Sequence, residues 1–75
     1  MYKAEIQTLI SESEAKRAMR HIFDETMYIE DYEVNSYLGR TFIEIELNQD
    51  YDERAQMSYL EDIAVLLSGV VVPYY

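Results

Sequence analysis

Residues 40–48, RTFIEIELN, alternate apolar and polar side chains, with Thr41, Ile43, Ile45 and Leu47 on one side and Phe42, Glu44 and Glu46 on the other. A side-chain period of two is that of a β-strand with one face buried and the other in solvent. This restricts the fold sharply. The strand can bury its aliphatic side only inside a sheet that carries a cover on one face, and its two glutamates must leave the opposite face. A slip of one residue in pairing would drive both glutamates inward.

The rest of the chain supplies the sheet and the cover. YKAEIQTLI, residues 2–10, alternates in the same way, with Tyr2, Ala4, Ile6, Thr8 and Ile10 inward and Lys3, Glu5 and Gln7 outward, and is expected to be strand 1. SESEAKRAMRHIFDE, residues 11–25, changes period: Ala15, Ala18, Met19, Ile22 and Phe23 recur at helical spacing. Ser11 with Glu14 forms a capping box at the start of that helix. MYIEDYEV, residues 27–34, gives strand 2, with Tyr28, Tyr32 and Val34 inward and Ile29, Asp31 and Glu33 outward. Glu30 then falls among the inward positions, a charge placed as edge strands place them to discourage pairing with other chains. NSYLGR, residues 35–40, supplies a turn in which Gly39 takes a positive φ and Tyr37 and Leu38 are exposed at the tip of a hairpin to strand 3.

The second helix is expected within residues 48–69, capped by Asp50 or Asp52 and ending at Gly69, with Met57, Leu60, Ile63, Ala64 and Leu67 as its apolar stripe. VVVPYY, residues 70–75, is a short last strand whose proline suits an edge. The order strand, helix, strand, strand, helix, strand resembles the ferredoxin-like fold along nearly the whole chain. That resemblance implies a four-stranded antiparallel sheet with strands 1 and 3 central, strands 2 and 4 at the edges, and both helices on one face. Residues 1–75 then make a single α+β domain.

Composition narrows the function classes. The chain has 75 residues and no cysteine, so it has no thiolate chemistry and no disulfide framework. With 15 acidic and 6 basic residues its formal charge is −9, which repels nucleic acid and anionic lipid and favours basic partners. The first residues lack the pattern of a signal peptide, and the apolar stretch at residues 63–75 is too short and too interrupted for a membrane span. A cytoplasmic location with no membrane partner is therefore expected.

No residues point to catalysis. His21 lies off the apolar stripe of the first helix, no serine stands in a recognisable triad, and carboxylates on an open sheet lack the pocket that general acid–base chemistry needs. NQDYDE, residues 48–53, lacks the ligand pattern and central glycine of a calcium loop and serves equally well as a helix start. Neither a metal nor a cofactor is expected. RNA-recognition domains stack bases on aromatic side chains of the open face of this topology, beside basic residues. Here that face carries one clear aromatic, Phe42, among carboxylates, so direct nucleic-acid binding is not expected.

What remains is the acidic face. Glu5, Asp31, Glu33, Glu44 and Glu46 fall on it, with Asp50, Asp52 and Glu53 adding charge at the start of the second helix. Carboxylates there serve as solvation of an exposed sheet or as an imitation of a phosphate backbone that fits a groove made for nucleic acid. Tyrosine, which suits interfaces, is abundant: Tyr37, Tyr74 and Tyr75, with Phe42, are candidate contact aromatics. In size and charge the chain resembles the small acidic inhibitors that viruses direct at host nucleic-acid-binding machinery, among them anti-CRISPR and anti-restriction proteins that mimic DNA. The resemblance implies a stoichiometric inhibitor acting in the host cytoplasm on the basic surface of a nucleic-acid-binding protein. The alternative is a homo-oligomeric structural or regulatory module, a homodimer in its simplest form, joined through edge strands or the open face with Phe42, Ile29 and the C-terminal tyrosines as contacts.

Overall fold

A computed structural model describes residues 3–73 and contains β1 (Lys3–Thr8), α1 (Glu12–Glu25), β2 (Ile29–Tyr37), β3 (Arg40–Leu47), α2 (Glu53–Leu66) and β4 (Gly69–Pro73). The four strands form one antiparallel sheet in the order β2-β3-β1-β4, the α+β ferredoxin-like arrangement. Tyr2, Tyr74 and Tyr75, which the sequence assigns to strands or contacts, lie outside the described residues.

The alternation of β1 and β3 survives intact. Ala4, Ile6 and Thr8 face the core beside Ile45, Ile43 and Thr41, their register partners. α1 contributes Ala15 and Met19 to that core, with Ala18, Ile22 and Phe23 packed against it, and α2 contributes Leu60, Ile63 and Ala64, with its C-cap Leu67. The two buried threonines do not leave polar atoms unpaired: Thr41 Oγ1 donates to the Ile10 carbonyl at 2.6 Å and Thr8 Oγ1 to the Leu67 carbonyl. They fasten the ends of the central strands to the segments that follow β1 and α2.

Helix starts follow the capping residues. Ser11 Oγ accepts from the Glu14 backbone N–H at 3.2 Å and donates to Glu14 Oε1 at 3.2 Å. Of the two candidate caps for α2, Asp52 takes the position, its carboxylate accepting from the Ala55 N–H at 3.2 Å.

Strand 2 departs from the sequence expectation only at its start; Tyr32 and Val34 face inward and Asp31 and Glu33 outward as expected. Ile29 pairs with Leu47 and Asp31 with Glu46, so Glu30 is an extra residue on β2, a β-bulge. The bulge turns Ile29 into the core and leaves Glu30 exposed, the reverse of the strict alternation expected above. Ile29 is thus a core residue and not a surface contact. The edge is managed by the bulge itself, which twists the strand and interrupts its ladder, and by Asp31, whose carboxylate accepts from the Tyr32 N–H at 2.9 Å.

The end of α2 also differs. Ser68, with φ 54°, takes the left-handed position expected of Gly69. Gly69 is needed for another reason: a Cβ there would come within 2.5 Å of the Gln7 carbonyl oxygen, because β4 enters the sheet hard against β1. The residue that must be small cannot also be the one that reverses the chain.

Candidate partner-binding face

Opposite the helices, no described element covers the sheet. Register places its outward residues in rows across the strands. One row runs Asp31, Glu46, Lys3; the next runs Glu33, Glu44, Glu5, Val72; a third runs Asn35, Phe42, Gln7, Val70; and Tyr37 stands opposite Arg40 at the hairpin end. The sequence-derived set Glu5, Asp31, Glu33, Glu44 and Glu46 is therefore gathered on one surface, with Glu33, Glu44 and Glu5 side by side on three adjacent strands.

Neighbouring strands lie about 4.8 Å apart, so directly opposed like charges repel and oppose folding. Among the described residues, none of these carboxylates has a basic side chain within the 4.0 Å of an ion pair. Glu5 is half-buried and accepts from Gln7 Nε2 at 3.0 Å, while Glu33, Glu44 and Glu46 are exposed. Lys3, Asp31, Glu33, Glu44 and Glu46 line an open depression of about 220 Å³. Among the described residues no group of His, Asp and Glu converges as a metal-holding set. The rows present negative charge outward over several strands.

Asp50, Asp52 and Glu53 are placed differently. They lie beyond β3 where α2 begins, all exposed, and none of them lines the depression on the open face. Asp52 spends its carboxylate on the helix cap. Near them Tyr28 packs edge-on against Tyr51 at 5.2 Å and Tyr59 at 5.3 Å, so these tyrosines are packing residues. His21 is exposed on α1, and the ion pair from Lys16 to Glu12 at 3.4 Å lies along the same helix.

Two features escape the sequence pattern. Gln56, fully buried in α2, donates from Nε2 to the carbonyls of Asn48 and Tyr28, joining the segments that flank β3 and β2. Its polarity hid it from an apolar periodicity. The second is the contribution of β4 to the open face through Val70 and Val72, which only the register with Gln7 and Glu5 reveals.

No described helix is long and apolar enough to cross a membrane. Comparison with protein-family models and with curated proteins finds no match for this chain.

Proposed function

We propose that this chain is a non-catalytic binding protein whose acidic sheet face occupies the nucleic-acid-binding surface of a partner, in the manner of the DNA-mimicking anti-CRISPR and anti-restriction inhibitors. The observation that carries the reading is the cross-strand row Glu33–Glu44–Glu5 beside Asp31 and Glu46 on a face that no described element covers. Residues on strands about 4.8 Å apart, and about 6.6 Å apart along each strand, set the carboxylates out from a regular array of backbone positions. An array of this kind attracts a cationic groove over a distance, speeds encounter and discriminates against neutral competitors.

Solvation alone asks less of these positions, since uncharged polar residues or alternating signs would keep the sheet soluble without opposing charges in register. The test is affinity capture with the chain as bait, with and without duplex DNA or RNA as competitor, repeated with the Glu33→Lys/Glu44→Lys variant. Partners lost both to nucleic acid and to the charge reversal support mimicry; a partner set indifferent to both contradicts it.

The homo-oligomeric reading draws on the free edges of β2 and β4 and the exposed apolar residues near the hairpin. Face-to-face self-association would set these carboxylates against their own copies. Light scattering coupled to size exclusion decides between the two: a stable dimer whose interface includes Glu33 and Glu44 rules out the mimic.

A further inference from the structure

The acidic rows occupy only one end of the open face. The other end, toward the β2–β3 hairpin, carries the exposed apolar residues Tyr37 at 68%, Leu38 at 83% and Val70 at 61%, with Phe42 half-buried among them, beside the polar Asn35 and Gln7 and with Arg40 at its edge opposite Tyr37. Tyr37 is the diagonal neighbour of Phe42 across β2 and β3, and Phe42 shares its row with Val70.

Leu38 shows that this end is not merely tolerated. The hairpin closes through Leu38 and Gly39, with φ 50° and 77°, a two-residue turn in which asparagine or glycine is favoured at the first position. A leucine there adopts a conformation its side chain disfavours and gains no burial in return. Strain at an exposed, chemically conspicuous residue points to a role outside the free fold.

Resting on the proposed function, we infer that the partner element seated on this face is a cationic amphipathic helix lying across the strands. Its apolar flank meets Leu38, Tyr37, Phe42 and Val70, and its basic flank meets Glu33, Glu44 and Glu5. Charge complementarity selects the occupant: beside an apolar end and a row of carboxylates, a second copy of this chain brings like charge, and a duplex brings phosphate. The width agrees, since the Phe42 row and the Glu44 row lie about 6.6 Å apart along the strands and a helix laid across them is about 10 Å wide. The same sheet already accepts α1 and α2 on its other side. A single helix offers adjacent apolar and basic stripes of the required kind.

The experiment uses the full chain and three synthetic probes: a leucine–lysine amphipathic helix, a scrambled isomer with no continuous apolar flank, and an oligolysine of equal charge. Binding is followed by fluorescence anisotropy, and the contacted amides by nuclear magnetic resonance. The expected result is that the helix binds roughly tenfold or more tighter than its scramble, with shifts at Tyr37, Phe42 and Val70. Leu38→Asn should raise the melting temperature, by on the order of 5 °C, while reducing the preference for the helix and leaving oligolysine binding in place. Val70→Ser, at an exposed position, should reduce the preference likewise. Equal affinity for helix and scramble, a preference untouched by Leu38→Asn, or shifts confined to α1 and α2 would overturn the inference. If oligolysine binding is absent or insensitive to Glu33→Lys/Glu44→Lys while the helix preference persists, the charge-mimic reading fails and the apolar seat stands.

Discussion

On the inner side of β3, Ile43, Ile45 and Leu47 are buried against a core completed by Met19 and Leu60; on its outer side, one peptide unit away, Phe42, Glu44 and Glu46 face no described element. The inner residues are dictated by folding, because aliphatic side chains between a sheet and its helices fill space that water would otherwise contact. The outer residues are not. Aligned carboxylates on adjacent strands add no packing to the sheet they belong to; the proposed function assigns Glu44 to a partner, whereas Ile45 is accounted for by the core alone.

This difference predicts opposite signs for neighbouring substitutions. Ile45→Ala removes buried methylene groups and leaves a cavity, and should cost about 2–5 kcal/mol in denaturant unfolding. A loss below about 1 kcal/mol would mean that the inner side is less closely packed than its burial indicates. Gly69→Ala, at the junction where β4 meets β1, should cost about 1–3 kcal/mol, because its methyl group must displace the Gln7 backbone. Glu44→Gln should do the reverse and stabilise by about 0.2–1 kcal/mol at low ionic strength. That gain should shrink as salt screens the row, within a Debye length of about 10 Å at 0.1 M. A glutamine variant less stable than the parent would show that the charges are compensated and would remove the contrast between the two sides.

The same contrast explains what could be read from the sequence. β1 and β3 follow a strict period of two because one of their faces is buried along its whole length, and the helices follow their apolar stripes and their caps at Ser11 and Asp52. The carboxylates of the open face were legible for the same reason, as the complement of the buried set. Only the first residues of β2 escape its alternation, because an edge strand accepts a bulge, and one extra residue at Glu30 exchanges the faces of Ile29 and Glu30 without changing composition. Ser68 was missed as the chain-reversing residue because Gly69 beside it is the usual choice; only the approach of β4 to the Gln7 carbonyl shows that Gly69 is already committed. Gln56 was invisible because its role is to donate to backbone carbonyls brought together from distant segments. The division of the open face into acidic and apolar ends depended on the register of β4, which no local pattern encodes.

The proposed binding is positional: it depends on charge on the open face and not simply on the net charge of the molecule. A matched pair of charge reversals tests it, Glu33→Lys/Glu44→Lys against Glu61→Lys/Asp62→Lys on the exposed side of α2, which change the net charge equally. The measurement is oligolysine affinity at one fixed low ionic strength. The sheet-face pair should lose most of the affinity while the α2 pair keeps nearly all of it; equal losses from the two pairs would show that net charge alone, and not its place on the sheet, governs binding.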